Sequence, residues 1–293
     1  MKKLTHLSLF SGIGGLDLAA EWAGFETVGQ CEYAEYPYHV LEKHWPDVHK
    51  WRDVHELSAN EFYRRTGIKP GELTCISGGF PCQPHSVAGK RKASNDERDL
   101  WPEFRRTVSE IRPGWIVAEN VRGLFSSEYG RFFGRILRDL DDLGYDVGWC
   151  CYRAADVGAI HPRERVGIIA HSSSKRRMES KVKKYTAEWN KTQYGIITGG
   201  KGTINSNLDR KRLERLCQEQ IYWIQGKQKF ESCGEAAEWS RRSNLFEPKL
   251  LRNYHGVPGA LDRIKCLGNA VVPQQFYPIF RSIAELELMI QDQ

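Results

Sequence analysis

No uninterrupted apolar stretch is long enough to cross a bilayer, and no apolar h-region with a cleavage site follows Met1-Lys2-Lys3. Neither a membrane span nor a secretory leader is therefore expected, and a cytoplasmic location is. Paired Cys-x-x-Cys spacing is also missing. The eight cysteines are scattered at Cys31, Cys75, Cys82, Cys150, Cys151, Cys217, Cys233 and Cys266, which argues for free thiols and against a structural zinc or a disulfide scaffold. No internal repeat is present.

What is there suits a globular protein. A chain of 293 residues with 40% hydrophobic and 11% aromatic composition can bury a full core, with room for one larger domain and one smaller one. The net charge of +6 is unevenly spread. Residues 171–245 carry sixteen Lys plus Arg against eight Asp plus Glu, a balance of +8, which leaves 27 against 29, or −2, over the remainder. One basic segment on a near-neutral body is the footprint of a polyanion binder, and it is equally the composition of a solvated insert.

Strand-like runs alternate with helical patterns: Leu7 to Phe10, a helix near Gly15 to Trp22, Thr27 to Cys31, then a helix near Tyr36 to His44. Leu73 to Ser77, a helix near Leu100 to Ile111, Trp115 to Ala118 and an amphipathic stretch from Tyr129 to Leu143 follow, then strands near Val147 to Arg153 and Val166 to Ala170. This alternation predicts an α/β fold, a parallel sheet with helices on both faces and ligands beyond the carboxyl ends of the strands. After Ala170 the texture turns polar, with Trp189, Trp223 and Trp239 interspersed. Periodicity returns at Leu261 and runs into a final helix near Gln274 to Met289.

Two loops stand out. Phe10-Ser11-Gly12-Ile13-Gly14-Gly15-Leu16-Asp17 follows the first strand and opens a helix, so backbone can approach a ligand there; it also reads as a plain tight turn. Asp17 stands where a dinucleotide fingerprint requires a third glycine. Glu32 and Asp53, ending later segments, are placed to bind ribose hydroxyls. Gly78-Gly79-Phe80-Pro81-Cys82-Gln83-Pro84 carries a cysteine on a rigid loop; a lone cysteine otherwise reads as a small buried core residue.

With these residues quoted, the sequence resembles the DNA cytosine-5 methyltransferases. Gly79-Phe80-Pro81-Cys82-Gln83 looks like their nucleophile motif, and Phe10-Ser11-Gly12-Ile13-Gly14-Gly15 like their S-adenosylmethionine motif. Glu119-Asn120-Val121, Arg163-Glu164-Arg165 and Gly268-Asn269-Ala270-Val271-Val272-Pro273 follow in the family's order. His85 departs from the apolar residue common behind the cysteine.

The resemblance implies a Rossmann-like, S-adenosylmethionine-dependent methyltransferase fold with a small target-recognition domain. The expected divisions are residues 1–170 catalytic, 171–255 target-recognition and 256–293 returning to the catalytic domain. It implies a Cys82 thiolate adding to carbon-6 of cytosine, Glu119 donating to ring nitrogen-3, and Arg165 contacting the cytosine carbonyl. Arg163 would support the cysteine loop and Asn120 would assist. The two arginines alternate along an extended segment and so share a face, with Glu164 on the other. Without the resemblance Glu119 and Asn120 read as helix-start residues and the arginines as a surface ion-pair cluster.

The implied cofactor site comprises Phe10, Ser11, Gly12, Ile13, Gly14, Gly15, Glu32, Asp53 and Asn269. Double-stranded DNA is the implied partner, with a flipped cytosine read by the basic segment, and a restriction endonuclease a further one. A monomer in a bacterial or phage-infected cell is expected. Three alternatives stay open: tRNA methylation by the same chemistry, a nicotinamide dehydrogenase, and a catalytically silent DNA-binding module.

Overall fold

The computed structural model describes residues 3–81, 99–159, 161, 163–172 and 266–291. The cysteine loop from Cys82 onward, with His85, and nearly all of the expected target-recognition division 171–255, with its basic segment 171–245, lie outside the described residues, as does the polar tract around Trp189, Trp223 and Trp239.

Among the described residues seven strands form one sheet in the order β3-β2-β1-β4-β5-β7-β6. They are β1 (Thr5–Leu9), β2 (Glu26–Cys31), β3 (His49–Trp51), β4 (Cys75–Gly78), β5 (Trp115–Val121), β6 (Tyr145–Arg153) and β7 (Glu164–Ser172). Helices α1 (Gly15–Trp22), α2 (Glu35–His44), α3 (Ala59–Thr66), α4 (Trp101–Ile111) and α5 (Arg131–Asp142) connect them, and α6 (Pro273–Gln291) returns from the far end of the chain.

The sheet is mixed, which corrects the all-parallel expectation. β1 to β5 pair in parallel, but β7 runs antiparallel to both β5 and β6. The reason is covalent. Only a short turn, Ala154–Val157, and a few further residues join β6 to β7. A parallel return would need a crossover of a dozen or more residues. The absence of any helical pattern between Arg153 and Val166 carries that signal in the sequence. The short edge strand β3 and helix α3 were not expected either.

Side-chain alternation divides the core between the two faces of the sheet. On one face Leu7, Leu9, Ile116 and Ala118 pack with Phe62 of α3, Phe104 of α4 and Phe133 of α5. On the other, Val117 and Cys75 meet Leu16, Ala19 and Ala20 of α1 and Phe276, Ile279, Phe280, Ile283 and Ala284 of α6. The α6 residues recur at the three- and four-residue spacing that makes one apolar helix face, so this last segment belongs to the same body as the first. No helix among the described residues is long and apolar enough to cross a membrane.

Candidate functional site

The chain folds so that two groups of residues meet beyond the carboxyl ends of the central strands. The first is the turn between β1 and α1. Phe10, Gly12 and Gly14 all take left-handed backbone, with φ of 51°, 57° and 87°. Ser11 anchors the turn: its backbone N–H donates to the Cys31 carbonyl at 3.0 Å, and its hydroxyl donates to the Ser8 carbonyl at 3.1 Å.

Two neighbours leave no space for a side chain on Gly14 or Gly15. A Cβ on Gly14 would lie 2.3 Å from the Trp45 ring, and one on Gly15 would lie 2.4 Å from the Val271 carbonyl oxygen. Close packing therefore requires glycine at Gly14 and Gly15, and backbone conformation at Gly12 and Gly14. Beside the turn lies a cavity of about 300 Å³ lined in part by Ile13, Gly15, Arg163, Ala270 and Val271.

Glu32, at the end of β2, accepts from the Gly12 N–H at 2.8 Å and from the Ala34 N–H at 2.8 Å. Burial raises its pKa, with those two amides acting in the opposite sense. Asp53 lies just past β3 on the same sheet edge. It is half-buried and committed to the 3-10 turn it caps, accepting from the His55 N–H at 2.9 Å. Its pKa is lowered, chiefly by that amide. Asn269 is exposed, between two residues whose carbonyls are bound by Arg163. Asp17 proves structural: fully buried, it accepts from Ser8 Oγ at 3.0 Å and Gln30 Nε2 at 2.9 Å, and burial pushes its pKa up to about 6.

The second group is built on β4, β5 and β7. Glu119 is 9% exposed, and Arg165 Nε stands 2.8 Å from its Oε1. On its other side the backbone comes close: a Cβ on Gly79 would meet Glu119 Oε2 at 2.8 Å. Burial pushes the Glu119 carboxyl up to about 7 against the opposing pull of Arg165 and Arg163. Desolvation outweighs two cations, which leaves a carboxyl poised to exchange a proton near neutrality.

Asn120 is buried, donating from Nδ2 to the Phe80 carbonyl at 3.0 Å while its Oδ1 accepts from the Val121 N–H. Phe80 is itself buried against Trp101 and Phe104. Asn120 thus holds the backbone two residues before Cys82, where a helix cap was the plainer expectation.

Glu164 turns the other way from the arginines, bridging to Arg122 at 2.8 Å, as their spacing implied. The expectation of extended backbone at both arginines is corrected at Arg163, which precedes β7 with a left-handed φ of 29°. Its guanidinium donates to the Gly268 carbonyl at 2.7 Å and to the Ala270 carbonyl. That hold on the returning segment explains why Arg163 leaves the strand direction. The structure thus brings Glu119, Asn120, Arg163 and Arg165 together, with the glycine turn and Glu32 on the same edge. Sequence reasoning passed over Trp45 and Gln275; a lone tryptophan past a helix and a glutamine in a first turn carry no local signal.

The family described as C-5 cytosine-specific DNA methylase matches residues 4–244. The type II methyltransferase M.FnuDI of Fusobacterium nucleatum is 36% identical over 164 residues, covering 56% of this chain and 45% of that protein. The type II methyltransferase M.NgoFVII of Neisseria gonorrhoeae is 36% identical over 166 residues, covering 56% and 42%. The chain spans about half the length of the curated relatives it matches. A crystal structure described as a DNA modification methyltransferase encoded within an E. coli prophage superposes with a TM-score of 0.52. It shares 29% identity, over 59% of this chain and 48% of that one.

Proposed function

The chain belongs to the C-5 cytosine-specific DNA methylase family, and on that premise we propose that it moves a methyl group from S-adenosylmethionine to carbon-5 of cytosine within a specific double-stranded DNA sequence. The observation that carries the reading is Glu119: a carboxyl with a pKa near 7, flanked by Arg165 and by the backbone of the loop that leads to Cys82.

The glycine turn fits a nucleoside cofactor. Its backbone lies bare beside a cavity of about 300 Å³, and Gly14 and Gly15 have no room for side chains. Phe10, Ser11, Gly12, Ile13, Gly14, Gly15, Glu32, Asp53 and Asn269 are the residues proposed to hold it. When bound, S-adenosylmethionine supplies an electrophilic methyl group.

The protein's part is to make carbon-5 a nucleophile. Cys82, as thiolate, adds to carbon-6, and the electron pair displaced toward nitrogen-3 is met by the proton of Glu119. Arg165 donates to the base carbonyl, and the pair it forms with Glu119 fixes the carboxyl's orientation. Asn120, through the Phe80 carbonyl, sets the direction in which the chain leaves toward Cys82. Arg163 holds the returning segment against the cavity. After methyl transfer, the carbon-5 proton passes to solvent, Cys82 leaves as thiolate, and the nitrogen-3 proton returns to Glu119, which restores the ring. The cytosine must leave the stack to reach these groups. The basic segment 171–245 is proposed to hold and read the duplex, and restriction-modification is the proposed setting.

Expression in a methylation-free host followed by genome-wide mapping of 5-methylcytosine tests the reading. Methylation at one short recurring sequence is expected. Its absence, or product lost to RNase and not to DNase, would redirect the assignment to RNA.

A further inference from the structure

The returning segment 266–275 touches both halves of the site. Its Val271 carbonyl presses on Gly15, and its Gly268 and Ala270 carbonyls are gripped by Arg163. One side chain ties it to the strands. Gln275 is 1% exposed, and its Nε2 donates to the Tyr152 carbonyl at 3.0 Å and to the Arg163 carbonyl at 2.9 Å. Among the described residues its Oε1 has no hydrogen-bond partner, so the carboxamide's contribution here is the two donated bonds. Turning the amide over would set its oxygen against two carbonyls, which fixes the orientation.

We propose that Gln275 is a positioning residue that holds Arg163, and through it the arginine pair, against Glu119. The strain at Arg163 is the reason one is needed. A non-glycine residue at a φ of 29° persists only when its surroundings hold it there. Apart from Gln275, the Arg163 carbonyl accepts, among the described residues, a long 3.4 Å bond from the Ala154 N–H. Without the carboxamide, Arg163 relaxes toward extended backbone. Its guanidinium then loses the Gly268 and Ala270 carbonyls and draws back from Glu119. Among the described residues the charged groups facing Glu119 are Arg165 and Arg163, so removing the field of one cation makes the carboxyl hold its proton to higher pH.

The proposal rests on the methyl-transfer reading for its kinetic consequence, and a direct titration separates the two. The pKa of Glu119 is followed by NMR in protein labelled with ¹³C at glutamate carboxyls, assigned with Glu119→Gln, alongside the pH profile of methyl transfer. Gln275→Leu is expected to move both midpoints up by about 0.5 pH unit or more, while Gln274→Leu, at the exposed neighbour, moves neither. Should Gln275→Leu fail to fold, Gln275→Met carries the same expectation. Activity reduced equally at every pH with an unmoved Glu119 titration would overturn the proposal. A shifted titration in a protein that transfers no methyl group would uphold it and overturn the methyl-transfer reading.

Discussion

Arg165 Nε stands 2.8 Å from Glu119 Oε1 across an antiparallel pair of strands, in which Val121 faces Arg165 and Glu119 faces Gly167. The pair is nearly buried, with side-chain exposures of 15% and 11%. Breaking it leaves a buried charge without its partner, which is where the largest effects are expected.

Glu119→Gln removes the proposed proton donor while keeping its shape. Methyl transfer should fall by about 10²- to 10⁴-fold, the range typical of a lost general acid, with cofactor affinity nearly unchanged. Initial rates at saturating S-adenosylmethionine, with calorimetry on the same samples, check both parts. A kcat within a few-fold of the parent would remove Glu119 from the mechanism.

The same substitution has a signature in stability. The folded carboxyl holds its proton up to about pH 7, against an ordinary value of 4.5. Between these values the folded state binds more protons than the unfolded one, so this group's contribution to stability falls as pH rises through that window. Gln does not titrate. The variant should therefore gain on the parent between about pH 4.5 and 7, by up to roughly 3 kcal/mol. Denaturant unfolding at a series of pH values measures this, and a difference that stays flat across the window would contradict the raised pKa.

Gly12 and Gly14 separate backbone strain from crowding. Both have positive φ, but a Cβ on Gly12 meets nothing within 4 Å whereas one on Gly14 strikes the Trp45 ring. Gly12→Ala should show the strain alone, on the order of 1–2 kcal/mol. Gly14→Ala should weaken S-adenosylmethionine binding further, because the turn must shift from Trp45. Equal dissociation constants for the two variants would show that Trp45 does not set the turn.

Asn120→Ala deprives the buried Phe80 carbonyl of its donor, at a cost of about 1–3 kcal/mol. Because the loop to Cys82 leaves from that point, kcat should fall more than the melting temperature suggests, with cofactor binding retained. If activity per folded molecule is unaltered, Asn120 supports the fold and not the loop.

Much of the fold was legible because strand and helix periods differ. The helix boundaries at Gly15, Trp22, His44 and Ile111 follow from apolar spacing and from the glycines and prolines around them. The direction of β7 was not read, since alternation marks a strand without marking its sense. The meeting of Glu119 with Arg165 followed from resemblance alone. Residues 119 and 165 are joined by strand pairing, which no local pattern encodes. Trp45 and Gln275 were missed for the same reason, since each acts on backbone far away in the chain.

The most direct test of the central claim is covalent trapping. A DNA duplex carrying 5-fluorocytosine at the mapped site, mixed with S-adenosylmethionine, should form an adduct stable to denaturation, because fluorine at carbon-5 blocks the final elimination. The account predicts an adduct for the parent protein, mapping to the peptide that contains Cys82, and none for Cys82→Ala. A Cys82→Ala protein that methylates cytosine at near the parent rate, or a parent that methylates ordinary DNA but never forms the adduct, would contradict it.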